Sequence, residues 1–196
     1  MLPIILGSSS KFRSAVLRDA GYEFTNLSPD VDEKNIGLES RNIQDAKNLT
    51  LIIAKAKSKA LLESKLIIVD SILITADQVV VYNGKVREKP IDKDECRRYL
   101  QSYAIAPAET YSSLVVTNTK TGQQAQGVDI AKQFFHEIPN DIIDALIAKG
   151  DVMHSCGGFV VEDELLIPYL GEREGDEDSI RGMPLKLLSN LIEQVQ

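Results

Sequence analysis

The sequence predicts an α/β fold in which a mixed β-sheet carries helices on its faces. Three observations point to this class. Short apolar runs typical of buried strands alternate along the chain with segments of helical periodicity. The chain opens with a strand, a turn, a helix and a second strand, the order common in α/β domains. Hairpin signals interrupt the alternation further on, so part of the sheet is expected to be antiparallel.

The first half of the chain carries this opening unit, then a long helix and a group of strands. We expect strands over 2–6, 22–27, 66–69, 72–76 and 79–82, and helices over 10–20 and 43–62. Gly21 is expected to end the first helix, because glycine is common just beyond a helix C-terminus. Asn83-Gly84 follows the last of these strands and is typical of a two-residue hairpin turn.

The second half continues with helices and strands and ends in a helix. We expect helices over 92–103, 139–148 and 184–196, and strands over 110–118 and 129–135. Asp92 is the expected N-cap of the first of these helices, and Pro139 suits the first turn of the second. The charged segment 171–179 is expected to be a solvated loop. Since no linker or repeat divides the chain, we expect one domain over residues 1–196.

Composition excludes several classes of function. The 196 residues carry a formal net charge of -7, whereas binding to a nucleic acid polymer needs an excess of Lys and Arg. The same charge argues against attraction to anionic membranes. The apolar N-terminal run lacks a preceding basic region, so it is interpreted as a strand and not as a signal peptide. The two cysteines are too few for a disulfide framework and favour a reducing, cytoplasmic location.

The turn after the first strand, Gly7-Ser8-Ser9-Ser10-Lys11-Phe12-Arg13, is a candidate phosphate site. A helix that starts after such a turn points its backbone N–H groups and its positive end outward. Serine hydroxyls add donors, and Lys11 and Arg13 add positive charge. The alternative is simple helix capping by Ser8 and Ser10.

Two groups of acids are candidates for metal binding or proton transfer. Asp30, Asp32 and Glu33 share a short loop whose oxygens suit Mg²⁺ or Mn²⁺, although a solvated turn is the usual explanation of such a cluster. Asp77 directly follows an apolar run, and an acid at a strand end is fixed and poorly solvated. It therefore suits a metal ligand or a general base, or else a structural cap of the next turn.

Two further segments carry reactive side chains. Lys89 follows the hairpin and could neutralise phosphate charge in a transition state, or it is an ordinary exposed lysine. His154 and Cys156 lie two residues apart, but no further cluster completes a zinc site. A Ser–His–Asp or Cys–His hydrolase remains open, without a nucleophile-elbow motif to support it.

Taken in order, these segments resemble the Maf family of nucleoside triphosphate pyrophosphatases. The resemblance extends over nearly the whole chain and rests on seven segments: LGSSSKFRSAVL from Leu6, Asp32-Glu33, the helix segment 54–58, TADQVV from Thr75, Glu88-Lys89-Pro90, Gly157-Gly158-Phe159 and Gly182-Met183-Pro184. It implies a fold similar to inosine triphosphatase, an elongated mixed sheet in two lobes with a central cleft. It also implies release of pyrophosphate from a nucleoside triphosphate with a divalent cation, Mg²⁺ or Mn²⁺.

The resemblance assigns a role to each matching residue. Asp77 is the implied general base, and Glu33, with Asp32 nearby, is implied to hold the metal together with Asp77. The residues implied to bind or neutralise the triphosphate are Ser8, Ser10, Arg13, Lys57 and Lys89. A non-catalytic nucleotide-binding regulator of cell division is the rival hypothesis, and a homodimer through an exposed sheet edge is compatible with either.

Three positions depart from the family members that prefer dTTP and UTP, which carry Arg, Thr and Gln there. Phe12, Gln78 and Glu162 instead resemble the residues of another branch of the family, the 7-methyl-GTP pyrophosphatases. An aromatic face attracts a cationic ring such as N7-methylguanine, and a carboxylate offsets its charge and accepts from its N–H edge. The alternatives are a dTTP/UTP enzyme and a purely structural Phe12 in the core. Lys11 and Gly7 also depart from the family's Pro and Ala.

Overall fold

A mixed β-sheet with helices on both faces forms the centre of the computed structural model, which describes residues 2–196. Within these residues the strands are β1 Ile4–Gly7, β2 Phe24–Leu27, β3 Ile72–Tyr82, β4 Lys85–Arg87, β5 Ala108–Asn118, β6 Gln124–Phe135 and β7 Leu170–Glu174. The sheet order is β2-β1-β3-β5-β6-β7, with β4 paired to β3. Strand β1 runs parallel to β2 and β3, whereas the remaining pairs are antiparallel. The predicted fold class is confirmed.

Seven α-helices accompany the sheet within the described residues. They are α1 Lys11–Asp19, α2 Leu38–Asn42, α3 Ala46–Glu63, α4 Lys93–Ser102, α5 Asn140–Lys149, α6 Glu177–Ile180 and α7 Leu185–Val195. Two predicted caps are confirmed: the Ser10 side chain accepts from the backbone N–H of Arg13, and that of Asp92 accepts from Glu95. In the part of the chain that the structure covers, no helix is long and apolar enough to cross a membrane.

Two separate apolar cores divide the molecule into two lobes. In the first half of β3, Ile72 and Ile74 pack with α1 and α7. In the second half, Val80 and Tyr82 pack with α4 and α5. Side chains of a strand alternate between its faces, so both cores lie on the same face of β3. The long strands β3, β5 and β6 join the lobes, and the polar middle of β3 lies between the two cores.

Helix α3 covers the opposite face of β3. Ile53 packs near Val79, and Leu61 packs on Leu73. Polar residues of α3 meet the strands as well, since Thr50 Oγ1 lies 2.6 Å from Ser113 Oγ. This long helix therefore supports the underside of the sheet where the two lobes join.

Two sequence predictions of secondary structure are wrong. Segment 66–69 is no strand, because Lys65 turns the chain with a φ of 61° and Ile68 is 88% exposed. Segment 171–179 is not a loop, since its first half lies in β7 on the sheet edge and its second half in α6. Charged side chains are common on such edges because they discourage further strand pairing. The helix predicted over 43–62 is confirmed as α3, which begins at Ala46 because Gln44 has a φ of 59°.

The hairpin prediction is confirmed, but the strand before it is longer than expected. Asn83 and Gly84 have φ angles of 48° and 73°, the positive values that a type I′ turn requires. The predicted strands over 72–76 and 79–82 are one continuous strand. The prediction that Asp77 ends a strand is therefore wrong, because β5 pairs with β3 from Ile72 to Val81 without interruption.

Candidate active site

The middle of β3 has one open edge. On that edge β1 pairs with β3 as far as Thr75, and β4 pairs with it only from Val80. Asp77 and Gln78 lie in the interval between these two partners. A cleft of about 1290 Å³ opens there, and it borders the turn that follows β1. Asp77 therefore combines the rigidity of a strand interior with access to a ligand.

The cleft brings together every residue that the sequence assigned to the site. Its lining includes Ser8, Ser10, Phe12, Arg13, Glu33, Lys57, Asp77, Gln78, Lys89 and Glu162. Asp77 and Gln78 point to opposite faces of β3 because they are consecutive in a strand. The open edge lets the cleft reach both.

Lys57 and Asp77 form a buried ion pair. Lys57 Nζ lies 2.8 Å from Asp77 Oδ1 and 3.1 Å from Glu33 Oε1, and it also donates to the carbonyl oxygen of Ala76. Burial raises the pKa of Asp77 above the ordinary value of an aspartate, whereas the positive charges of Lys57 and Arg13 oppose that shift. A carboxylate with a raised pKa is a stronger base than an exposed one, and the lysine keeps it ionised.

Glu33 and Asp77 are the predicted metal ligands. Two carboxylates alone do not fill the coordination shell of a divalent metal, so water or substrate would have to supply its other ligands. Both carboxylates contact the same Lys57 ammonium group. Among residues 2–196, no group of three or more His, Cys, Asp or Glu side chains could hold a metal. Mg²⁺ is often held by one or two carboxylates together with water and substrate phosphates. Glu33 and Asp77 fit that arrangement and form no closed protein site.

The turn after β1 presents donors to the cleft. Arg13 Nη1 lies 3.4 Å from Ser8 Oγ, and Arg13 Nε donates to the carbonyl oxygen of Gly182 at 3.1 Å. Ser10 caps α1, so its predicted capping role is confirmed, whereas its phosphate role stays a prediction. Lys89 is exposed and lines the same cleft. Gly7 allows the turn to approach α3 closely, since a Cβ atom there would lie 2.5 Å from Leu61 Cδ1.

Gln78 faces the other side of the sheet and is held by its amide nitrogen. Nε2 donates to Ser112 Oγ at 2.9 Å and to the carbonyl oxygens of Ser179 and Ile180, both at 3.0 Å. These three acceptors engage the donors of the amide. The carbonyl oxygen Oε1 faces Gly182, where a Cβ atom would lie only 3.0 Å away. Gln78 can therefore read a ligand only through Oε1.

Phe12 lies in the first turn of α1, and Glu162 lines the same cleft. Phe12 is half-buried and does not belong to the buried apolar clusters, which argues against a purely structural role. Lys11 Nζ lies 5.2 Å from the centroid of its ring. Glu162 Oε1 lies 2.5 Å from Arg181 Nε. Each of these two candidate recognition groups thus contacts a cation of the protein itself.

Comparisons with known proteins agree with the resemblance in the sequence. A family model described as Maf-like protein matches residues 3–195. The chain belongs to the Maf family. It is 47% identical to a 7-methyl-GTP pyrophosphatase of Dictyostelium discoideum, over 98% of this chain and 97% of that protein. It is 30% identical to a dTTP/UTP pyrophosphatase of Chlamydia trachomatis serovar D, over 96% and 92%. A second 7-methyl-GTP pyrophosphatase, from Idiomarina loihiensis, is 27% identical over 97% and 93%.

The structure of this Maf-family chain adds residues that the sequence reasoning missed. Arg41 holds Glu88 through two contacts of 2.7 and 3.1 Å and donates to the carbonyl oxygens of Glu33 and Ile36. It thereby fixes the acidic loop against the segment that carries Lys89. No local signal marks Arg41, because Glu88 lies 47 residues away in the sequence. Arg181 was missed as well, although it directly precedes the matched Gly182-Met183-Pro184 segment.

The cysteine in this Maf cleft is poorly suited to nucleophilic catalysis. Cys156 donates its thiol to the carbonyl oxygen of Gln78, at 3.0 Å. Burial, together with the negative charge of Asp77, raises the pKa of Cys156 to about 12. The thiol form therefore dominates at neutral pH, while the thiolate is the reactive species. This argues against the Cys–His alternative.

Proposed function

We propose that the chain hydrolyses the α–β phosphoanhydride bond of a nucleoside triphosphate, giving the monophosphate and pyrophosphate, and that its substrate is 7-methyl-GTP. The observation that carries the proposal is the buried Asp77–Lys57 pair at the open edge of β3. It lies in the same cleft as an anion-binding turn. The names of the Maf relatives support both the reaction and the substrate.

Asp77 acts on the attacking water. Oδ1 is engaged by Lys57, which leaves Oδ2 to take the proton as the water oxygen bonds to the α-phosphorus. The bond between the α-phosphorus and the oxygen that bridges to the β-phosphorus breaks. Pyrophosphate leaves with that electron pair, and the proton on Asp77 passes to solvent. The raised pKa of Asp77 strengthens it as the acceptor.

The cations of the cleft stabilise the charge that moves onto the leaving group. Phosphoryl transfer depends mainly on positioning and charge neutralisation. Arg13 and Ser8 act from the turn after β1, and Lys89 acts from the segment that follows the hairpin. Glu33 and Asp77 would hold a divalent cation together with the phosphates, where it would supply further charge neutralisation.

Phe12 and Glu162 support a purine with a positive charge. The ring of Phe12 already accommodates an ammonium group at 5.2 Å, and Glu162 already accommodates a guanidinium group at 2.5 Å. Both are therefore placed to interact with a cationic ring. An arginine at position 12 would repel such a ring.

A nucleotide panel tests the proposal. Purified protein with Mg²⁺ or Mn²⁺ is given 7-methyl-GTP, GTP, dTTP or UTP in turn, and pyrophosphate release is measured. We expect pyrophosphate release from GTP, dTTP and UTP to be slower than release from 7-methyl-GTP. Preference for dTTP and UTP would favour the alternative that the Chlamydia trachomatis relative suggests. Binding of nucleotides without release under any metal would contradict the hydrolase and favour the regulator.

A further inference from the structure

Two protein cations contact the two residues that are proposed to recognise the positive charge of the substrate. Lys11 Nζ is over the ring of Phe12 and contacts Asp151 Oδ1 at 2.5 Å. Arg181 Nε is at Glu162, and Arg181 Nη2 lies 3.5 Å from Asp19 Oδ2. The two cations differ in burial, because 67% of the Lys11 side chain is exposed but only 16% of that of Arg181. Lys11 can move into water easily, whereas Arg181 is part of the cleft wall.

The contact between Arg181 and Glu162 is a charge pair without a well-formed hydrogen bond. Arg181 Nε is buried, yet it has no hydrogen-bond partner within residues 2–196. Its short approach to Glu162 Oε1 therefore fails the angular requirement of a hydrogen bond. A buried N–H group left in this way is unfavourable. Arg181 is consequently held at Glu162 less firmly than a bidentate pair such as Arg41–Glu88 would be.

Arg181 also has a second acid within reach. Asp19 lies at the end of α1, and 67% of its side chain is exposed. The guanidinium group of Arg181 thus lies between Glu162 inside the cleft and Asp19 outside it. A small rotation toward Asp19 would free the Glu162 carboxylate for a ligand and keep Arg181 paired.

We infer that Arg181 is a specificity-determining residue, which competes with a cationic purine for Glu162 and so limits the preference for that purine over neutral guanine. The inference rests on the proposed function for the choice of ligand. With Arg181 at Glu162, the local charge is neutral and a cationic ring gains little there. When Arg181 moves to Asp19, the local charge is negative and the cationic ring gains an ion pair. Neutral guanine has no net charge, so its affinity should hardly depend on the position of Arg181.

The inference is tested by equilibrium binding in the Asp77→Asn background, without added metal, where turnover of the probes is expected to be slow. Dissociation constants for 7-methyl-GTP and GTP are measured by calorimetry, and their ratio gives the selectivity. In Arg181→Gln we expect the preference for 7-methyl-GTP to rise roughly five-fold, the effect of one partly exposed ion pair. Arg181→Lys keeps the charge and should leave the ratio near its starting value.

Two further variants control for charge and for the second acid. Arg98→Gln removes an equal charge from the exposed face of α4, and the ratio should not change. Asp19→Asn removes the outer partner of Arg181, so Arg181 should stay at Glu162 and the preference should fall. Thermal unfolding of each variant verifies that the fold is intact.

Two results would overturn the inference. If Arg181→Gln weakens both nucleotides equally, Arg181 merely positions Glu162. If the ratio falls, Arg181 assists the cationic ring and does not compete with it. Pyrophosphate release by the unmodified protein, measured in parallel, separates the two hypotheses. Absence of release with the predicted shift in binding would contradict the hydrolase alone, whereas release without the shift would contradict the role of Arg181 alone.

Discussion

The two ends of the cleft hold their charges in different ways. At the Asp77 end, the side chains of Lys57 and Asp77 are only 6% and 9% exposed. At the Phe12 end, the side chains of Glu162 and Asp151 are each 32% exposed, and their cationic partners have other contacts nearby. Breaking a buried pair costs about 3–5 kcal/mol, but an exposed pair is worth only about 0.2–1 kcal/mol.

This difference suits two separate tasks. A proton acceptor must be fixed before the substrate arrives, because its rate depends on geometry. A surface that recognises a base must release its own cations when the ligand enters. We therefore expect substitutions at the Asp77 end to affect turnover and stability, and substitutions at the Phe12 end to affect the choice of nucleotide.

The largest expected effect is that of Asp77→Asn. The amide cannot accept the proton of the attacking water, so kcat for pyrophosphate release should fall by about 10²–10⁴-fold. The circular dichroism spectrum should be unchanged, because Asn is similar in size and β5 still pairs with the backbone of β3. Retention of full activity would show that Asp77 is not the base.

The second effect concerns stability. Lys57→Met leaves the buried Asp77 carboxylate without its partner, so the free energy of unfolding near neutral pH should fall by about 3–5 kcal/mol. The pKa of Asp77, already raised by burial, should then rise further. The lost stability should return as the pH falls through that pKa and the carboxyl becomes neutral. Urea unfolding across a pH series measures both effects.

A double variant serves as the control for this stability effect. Lys57→Met combined with Asp77→Asn removes both charges, so its stability should exceed that of Lys57→Met and vary less with pH. Equal losses in the single and double variants would mean that Lys57 contributes by packing and not by charge.

The third effect changes the substrate. Phe12→Arg places a cation where the proposed purine charge lies, so the preference for 7-methyl-GTP over UTP should fall at least about ten-fold, a change of about 1.4 kcal/mol. Phe12→Tyr keeps the aromatic face and is the matched control. Values of kcat/KM for the two nucleotides provide the ratio. An unchanged ratio in Phe12→Arg would refute the role of the ring in recognising the base.

The smallest expected effect is a shift in the acidic limb of the pH–activity profile of the unmodified protein. Activity requires ionised Asp77, so it should be present above the pKa of Asp77 and be lost as the pH falls through it. Because burial raises that pKa, the acidic limb of kcat/KM should lie above the ordinary aspartate value of about 3.9. A limb at or below that value would contradict a buried base.

Local signals predicted much of this fold and of the Asp77 end of the cleft. The Asn83-Gly84 turn and the Ser10 cap depend on a few neighbouring residues, so the sequence specifies them directly. Segment 66–69 was mispredicted because an apolar run does not reveal whether a partner strand exists. Asp77 was placed at a strand end because the sequence cannot show that an open sheet edge and a distant lysine make an acid tolerable in mid-strand.

The charge partners of the cleft were beyond sequence reasoning. Arg41 contacts Glu88 across 47 residues of the sequence. Strand β7 and helix α6 lie between Glu162 and Arg181 in the sequence. Neither pair has a fixed spacing that periodicity could detect. Phe12 and Glu162 were identified only because the resemblance to the Maf family aligned them. Their contacts with Lys11 and Arg181 became visible only in the structure.

Hydrolysis of 7-methyl-GTP in ¹⁸O-labelled water tests the central claim most directly. If water activated by Asp77 attacks the α-phosphorus, mass spectrometry should find the label in the monophosphate and not in pyrophosphate. Asp77→Asn should form that labelled product about 10²–10⁴-fold more slowly. Label in pyrophosphate would place the attack on the β-phosphorus, and labelled product from Asp77→Asn at the unmodified rate would remove Asp77 from the chemistry. Either result would contradict the proposed reaction.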